Sequence, residues 1–248
     1  MRHFHSACLA FAVAIGTAAC DSGNDPEIDP AHLVGAWVNT HKDGREVPTD
    51  DRFVSVYLPG GKETYAVRGQ ANHWAETAGY SYAVGGETIA VSGHGTLLEY
   101  ELLELSPSTL EYRVSRLVVD GQDLQDSAVY LLRKVQKDYS AQFLGLWEGR
   151  ETTDGESGAV RRWKYNADGS YQYFHEQVDG RWLDKSDNSG RWFLYGDHFV
   201  SNYRNDAISG VAGNACEAWT ISIDGDAMRW KALRDGKTRT FSMVRVAQ

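Results

Sequence analysis

From Ala36 onward, apolar and polar residues alternate in short runs punctuated by Gly, Asp and Asn. Successive side chains of an extended chain point to opposite faces. A two-residue period therefore makes strands with one buried face, whereas a helix needs apolar positions three and four apart. The runs fall at Ala36–Asn39, Arg52–Leu58, Glu63–Arg68, Gly79–Val84, Thr88–Ser92, Leu97–Leu105, Leu110–Val118 and Ser127–Val135. A second set follows at Leu146–Arg150, Val160–Tyr165, Ser170–Gln177, Gly190–Tyr195, His198–Tyr203, Glu217–Ile223, Ala227–Leu233 and Arg239–Val246. Eight consecutive strands joined by short turns suit an antiparallel up-and-down barrel, whose closure removes exposed sheet edges. The expected fold is all-β, two tandem small antiparallel meander barrels. An open sandwich or one sixteen-strand assembly fits the same runs.

The two sets repeat one another. Gly35-Ala36-Trp37 returns 110 positions later as Gly145-Leu146-Trp147, each behind an apolar pair, Leu33-Val34 and Phe143-Leu144. A turn feeding an aromatic strand follows in both, at Pro59–Tyr65 and Asn166–Tyr173. Gly79–Gly86 then pairs with Gly190–Asp197, and the closing runs Ala128–Arg133 and Thr240–Arg245 match. A fixed order at fixed spacing marks one structural unit used twice. The units are placed at 32–136 and 137–248.

Ahead of them, Arg2 precedes an apolar stretch from Ala7 to Ile15 that is too short to cross a hydrocarbon core of about 30 Å as a helix. It reads as the core of a signal peptide, Met1–Ala19. The stretch ends in Gly16-Thr17-Ala18-Ala19-Cys20, which resembles the bacterial lipobox, with Thr17 where leucine is usual. That resemblance implies that Cys20 is acylated and becomes the first residue of an exported lipoprotein facing the periplasm. Simple cleavage after Ala19 is the alternative. Asp21 favours the inner membrane by the enteric sorting pattern, with the outer membrane as the other destination. The acidic, Pro-containing stretch to Ala31 has almost nothing to bury, so 20–31 reads as a disordered tether with a reach of about 35 Å.

The whole chain carries a formal charge of −9; loss of Arg2 with the signal leaves −10. Such a surface argues against nucleic acid and against attraction to anionic lipid. Membrane attachment would come from the acyl chains on Cys20, at about 0.8 kcal/mol per buried CH₂. With Cys8 discarded and Cys20 lipidated, Cys216 is the remaining thiol and reads as a small buried strand residue rather than a nucleophile.

A GxW opening the first strand, a meander of eight strands and a late Arg together resemble the lipocalin or calycin class, in compact form. The resemblance implies that the opening Trp lies across a closed barrel end with an Arg over its ring. The matching pairs here are Trp37 with Arg133 and Trp147 with Arg245, which would close barrels and do no chemistry. It also implies an interior that either holds one small ligand or is filled by its own side chains.

Alternation in the second unit collects aromatics on one face. Arg161, Trp163 and Tyr165 share a side, as do Tyr171, Tyr173 and His175; Trp192 with Leu194, Trp219 with Ile221, and Met228 with Trp230 align likewise. The candidate ligand-binding residues are Arg161, Trp163, Tyr171, Tyr173, Trp192, Trp219 and Trp230. Arg161 would be a carboxylate partner. The same aromatics would serve equally as packed core. His73, His94, His175 and His198 lack metal-ligand spacing, so no metal or other cofactor is expected. Glu148, Glu151, Asp154, Glu156 and Asp168 surround an expected loop, and no catalytic motif appears.

The expected function is that of a membrane-tethered envelope lipoprotein binding a small hydrophobic or amphipathic ligand. The alternatives are a non-catalytic structural or interaction factor with packed barrels and a protein partner in the envelope, and, third, a hydrolase or isomerase with an unrecognised site.

Overall fold

A computed structural model describes residues 29–69, 72–153, 156–185, 189–204 and 214–247. The expected signal peptide, Cys20 and the tether as far as Ile28 lie outside the described residues. The last residues of the expected tether, Asp29–Ala31, belong to a folded turn. The Asp29 carboxylate accepts the Ala31 N–H (2.9 Å) and caps the 3-10 turn Pro30–Leu33, which delivers a fully buried Leu33 to the first core. Leu33 supplies the burial that the polar stretch before it lacks.

The first sheet comprises β1 (Gly35–Lys42), β2 (Arg45–Glu46), β3 (Val54–Leu58), β4 (Lys62–Arg68), β5 (Trp74–Gly85), β6 (Thr88–Gly93), β7 (Thr96–Leu105), β8 (Thr109–Val119), β9 (Gln122–Leu124) and β10 (Val129–Lys134). Every pairing is antiparallel, and β10 pairs with both β1 and β8, which closes an eight-stranded barrel. The short β2 and β9 extend the β1 and β8 edges outside that ring.

The second sheet runs through β11 (Gly145–Thr153), β12 (Glu156–Tyr165), β13 (Ser170–Glu176), β14 (Trp182–Asp184), β15 (Gly190–Tyr195), β16 (His198–Arg204), β17 (Asn214–Asp224), β18 (Ala227–Arg234) and β19 (Lys237–Arg245). Here β11 pairs with β19 and β12, and β12 with β13, so eight strands close again and β14 stands outside as a flap on β13. The fold is thus all-β, with two closed meander barrels in tandem; an open sandwich and a single sixteen-strand assembly are excluded by the closing pairs.

Both barrels are sealed at one end by the same device. A short turn, Pro30–Leu33 in one and α1 (Ser140–Phe143) in the other, ends on a fully buried apolar residue. The indole N–H of Trp37 donates to the Leu33 carbonyl (2.7 Å), and that of Trp147 donates to the Phe143 carbonyl (2.9 Å). A cation then covers the ring. Arg245 lies 4.2 Å from the Trp147 centroid and donates to the Leu144 (2.6 Å) and Gln142 (2.7 Å) carbonyls. Gly35 and Gly145 have φ of +132° and +114°, and a Cβ on either would lie within 3 Å of the covering side chain, at Lys134 Cε or Arg245 Nη1. The GxW glycine is therefore required by backbone conformation and by the cation's approach.

In the first barrel the covering residue is Lys134, 5.2 Å from the Trp37 ring and donating to the His32 carbonyl (2.7 Å). This corrects the expected Trp37–Arg133 pair. Arg133 is one residue earlier on β10 and so faces the other way, where it pairs with Asp197 of the second barrel (2.9 Å).

A third apolar cluster lies between the barrels. It joins Val38, Val54, Ala66 and Trp74 of the first to Val200, Cys216 and Ala218 of the second. Strands β1, β3 and β17 are consequently buried on both faces, with Trp37, Tyr57 and Trp219 turned inward. Polar ties surround the cluster. Asn202 exchanges two hydrogen bonds with the Trp74 backbone (2.8 and 2.9 Å), and the Tyr195 hydroxyl donates to Glu76. His198 is fully buried against the Trp74 ring (5.6 Å), with neither ring nitrogen partnered. Burial first, and the guanidinium groups of Arg52 and Arg133 second, push its pKa down to about 3. The Cys216 thiol donates to Asn72 (3.4 Å), and burial raises its pKa to about 11.

Candidate functional site

The second barrel encloses a cavity of about 340 Å³ that opens at the end opposite the Trp147 seal. Its floor is aromatic: Trp230 lies 5.2 Å from Trp163, 5.5 Å from Trp219 and 5.5 Å from Phe241, ring centre to ring centre. Tyr165, Tyr171, Tyr173 and Tyr203 wall it, and Glu151, Arg161, Glu217, Arg234 and Arg239 supply the charge. The period of two explains the gathering. On β18, Met228, Trp230 and Ala232 are buried while the residues between them are exposed, and β12 and β13 turn Arg161, Trp163, Tyr171 and Tyr173 to the same interior.

Of the residues named from sequence, Arg161, Trp163, Tyr171, Tyr173, Trp219 and Trp230 line this cavity. Trp192 does not, which corrects its placement. Its indole N–H donates to the Ser170 (3.0 Å) and Asn166 (3.2 Å) carbonyls, and its ring rests on Phe143 (5.1 Å) at the sealed end. Alternation places Trp192 on the inner face but does not say at which end of the barrel.

The polar side chains differ in their commitments. Glu217 accepts from the Tyr203 hydroxyl (3.1 Å) and the Trp219 indole (3.3 Å). Arg234 stacks on Trp219 (3.9 Å) and is gripped by Asp50 of the first barrel (2.6 and 3.0 Å). Arg161 donates to the Val160 carbonyl (3.0 Å). Arg239 reaches Glu151 at 3.7 Å, but its Nε is buried with no acceptor, as is the Trp230 indole nitrogen. Burial raises the Tyr165 and Tyr171 hydroxyls well above the usual range, and raises Tyr173 despite the opposing charge of Arg161. Burial, then Arg161 and Lys185, pulls His175 down; its Nε2 lies 2.8 Å from the Tyr173 hydroxyl. The interior thus offers neutral hydroxyls, guanidinium groups and unsatisfied donors above an aromatic floor.

Arg234, Arg239 and Asp50 were not singled out from sequence. Both arginines flank the Asp235-Gly236 turn and read there as solvated hairpin ends, and Asp50 sits in the polar Pro48–Asp51 stretch. That stretch is a clamp: Thr49 accepts the Leu233 N–H (2.8 Å) and Asp50 the Ala218 N–H (2.7 Å). Among the described residues, no three of His, Cys, Asp and Glu gather as a metal site. The interior of the first barrel contains a separate cavity of about 250 Å³.

No family model and no curated protein matches the chain. Among solved structures it is similar to the isotype 1 transferrin binding protein B from serogroup B Neisseria meningitidis, at 9% identity and a TM-score of 0.25. That alignment covers 80% of this chain and 52% of the other, so the chain spans about half that protein's length. At this level the likeness adds nothing to what the strand order already shows. The fold and cavities define a class, tandem closed β barrels with open interiors, and function has to be argued from the site.

Proposed function

We propose that this chain is a non-catalytic binding protein of the bacterial envelope, held by lipid on Cys20 with its barrels toward the periplasm, and that its second barrel takes an amphipathic small molecule with an acceptor-bearing head such as a carboxylate. The observation that carries the reading is the cavity itself: an aromatic floor of Trp163, Trp219, Trp230 and Phe241, with Arg161 and Arg239 on its wall and two buried donors left without acceptors. An apolar tail on the floor would displace water, and a carboxylate would satisfy the donors. The anchor rests on the Met1–Cys20 pattern, with lipocalin-like recognition as the closest analogy.

The test is titration of the intact two-barrel protein with octanoate, followed by tryptophan fluorescence, alongside native mass spectrometry of detergent-free material. A saturable response is expected, weakened roughly tenfold by Arg161→Gln or Arg239→Gln through loss of a charge-assisted bond. A bare polypeptide mass together with no response to octanoate would overturn the reading in favour of filled barrels that engage a protein partner. Cys20→Ser should move the protein from the membrane to the soluble fraction, and persistence in the membrane would remove the lipid anchor from the proposal.

A further inference from the structure

The first barrel is built around a charge that its own fold does not answer. Glu63 on β4 is 3% exposed, faces the interior cavity, and has one carboxylate oxygen, Oε2, without any partner. Ser55 on the neighbouring strand makes its hydrogen bond. Tyr57, Tyr65, Tyr82, Tyr100 and Tyr112 are the titratable groups felt around it, and none can be a cation. Among the described residues no Lys, Arg or His lines the cavity, and Asp126 adds a second carboxylate. Lys42 stands 5.2 Å over the Tyr130 ring but is not part of the lining. A buried carboxylate without a counter-charge is expensive and takes up a proton unless a cation is supplied from outside the fold. The aromatic walls fit that role, since the electron-rich faces of tyrosine rings attract ammonium groups.

We propose that the interior of the first barrel is a binding site for a compact organic ammonium ion, with the Glu63 carboxylate as its counter-charge and tyrosine rings as its walls. The cavity, smaller than that of the second barrel, takes a short apolar body. The two interiors differ in charge: guanidinium groups and carboxylates together line the second, whereas the charged residues lining the first are the carboxylates Glu63 and Asp126. Burial raises the Glu63 carboxyl to about 7, so near neutral pH an arriving ammonium ion displaces a fraction of a proton.

The test is calorimetric titration of the intact protein with hexylamine at pH 8, with hexanol and hexanoate as the matched neutral and anionic probes. Hexylamine is expected to bind at least about tenfold more tightly than hexanol, because only the cation answers the carboxylate, and any hexanoate binding is expected in the second barrel, where Arg161→Gln weakens it and Glu63→Gln does not. Repeating the titration at pH 7 in buffers of different ionisation enthalpy should reveal proton release. Glu63→Gln should abolish both the preference for the amine and the released proton, with its thermal melt checked to show that the barrel still folds. Arg161→Gln, which weakens the second-barrel site, should leave hexylamine binding unchanged, and this separates failure of one site from failure of the other. Equal affinity for hexanol and hexylamine, no hexylamine binding, or a folded Glu63→Gln that binds hexylamine as the parent does would overturn the proposal.

Discussion

Glu63, with its carboxyl pushed up to about 7, keeps a proton in the folded barrel that it sheds in the unfolded chain near 4.5. The folded state binds more protons across that window, so stability falls as pH rises through it and is flat above, a change on the order of 3 kcal/mol. His198 works the other way. Its pKa falls from 6.5 to about 3, so the unfolded chain binds more protons between those values and stability is lost as pH drops through them. Urea midpoints followed against pH should separate the two: Glu63→Gln flattens the decline toward pH 7, and His198→Phe flattens the loss below pH 6.5. A pH profile unchanged in either variant would show that the corresponding group is solvated. Glu63 was not legible in the sequence, where Lys62-Glu63-Thr64 after a Gly-Gly turn reads as solvent-facing. Alternation puts it on the same face as Tyr65, and both line the cavity, but a charged residue at the start of a strand gives no sign that closure of the ring will bury it.

At the scale of elements, the sealing device explains why a glycine and a tryptophan recur 110 positions apart in the two units. Gly145→Ala should destabilise by about 2–3 kcal/mol, since its φ of +114° is hostile to a Cβ that would also stand 2.9 Å from Arg245 Nη1. Gly225→Ala is the control. Its φ of +57° is in the left-handed region, but a Cβ there meets nothing, so a loss of about 1 kcal/mol is expected in the same urea titration. Equal losses would mean that Arg245 is not held where the seal requires it. All sixteen barrel strands were readable from alternation, because closure and one-sided burial impose the two-residue period on almost every run. What escaped was too short to show a period, namely β2, β9 and β14, or turned on a single step of phase, as with Lys134 in place of Arg133. The aromatic side of the second cavity was legible for the same reason as the strands. Its arginines at the hairpin mouth and the misplaced Trp192 were not, since alternation fixes the face of a residue and leaves its height along the barrel axis open.

At the scale of the molecule, the barrels share a core as well as a chain. Separating them exposes Val38, Trp74, Val200 and Ala218, and leaves Arg133, Asp197 and Arg234 without their partners. Each half expressed alone should therefore be less soluble and less stable than the whole, and co-expressed halves should reassociate, as size-exclusion chromatography would report. Two halves that remain monomeric together and melt like the intact protein would show the interface to be weak. Cys216 provides a built-in probe of the joint. With its thiol buried and raised to about 11, it should resist iodoacetamide at pH 8 in the native protein and react on unfolding. Rapid native labelling would mean that the barrels part readily.

The Thr49–Asp51 turn gives this joint a further meaning. Asp50 belongs to one barrel, yet the arginine it grips stacks on Trp219 at the wall of the other's cavity. Seating of the first barrel and the poise of Arg234 are two readings of a single equilibrium. By thermodynamic reciprocity, whatever factor docking adds to the affinity of the second cavity, a ligand engaging Arg234 returns to the docking. Occupancy by the ligand proposed for that cavity would in this way be written into the rigidity of the pair, and a partner sensing whether the two are locked would read the ligand without touching it.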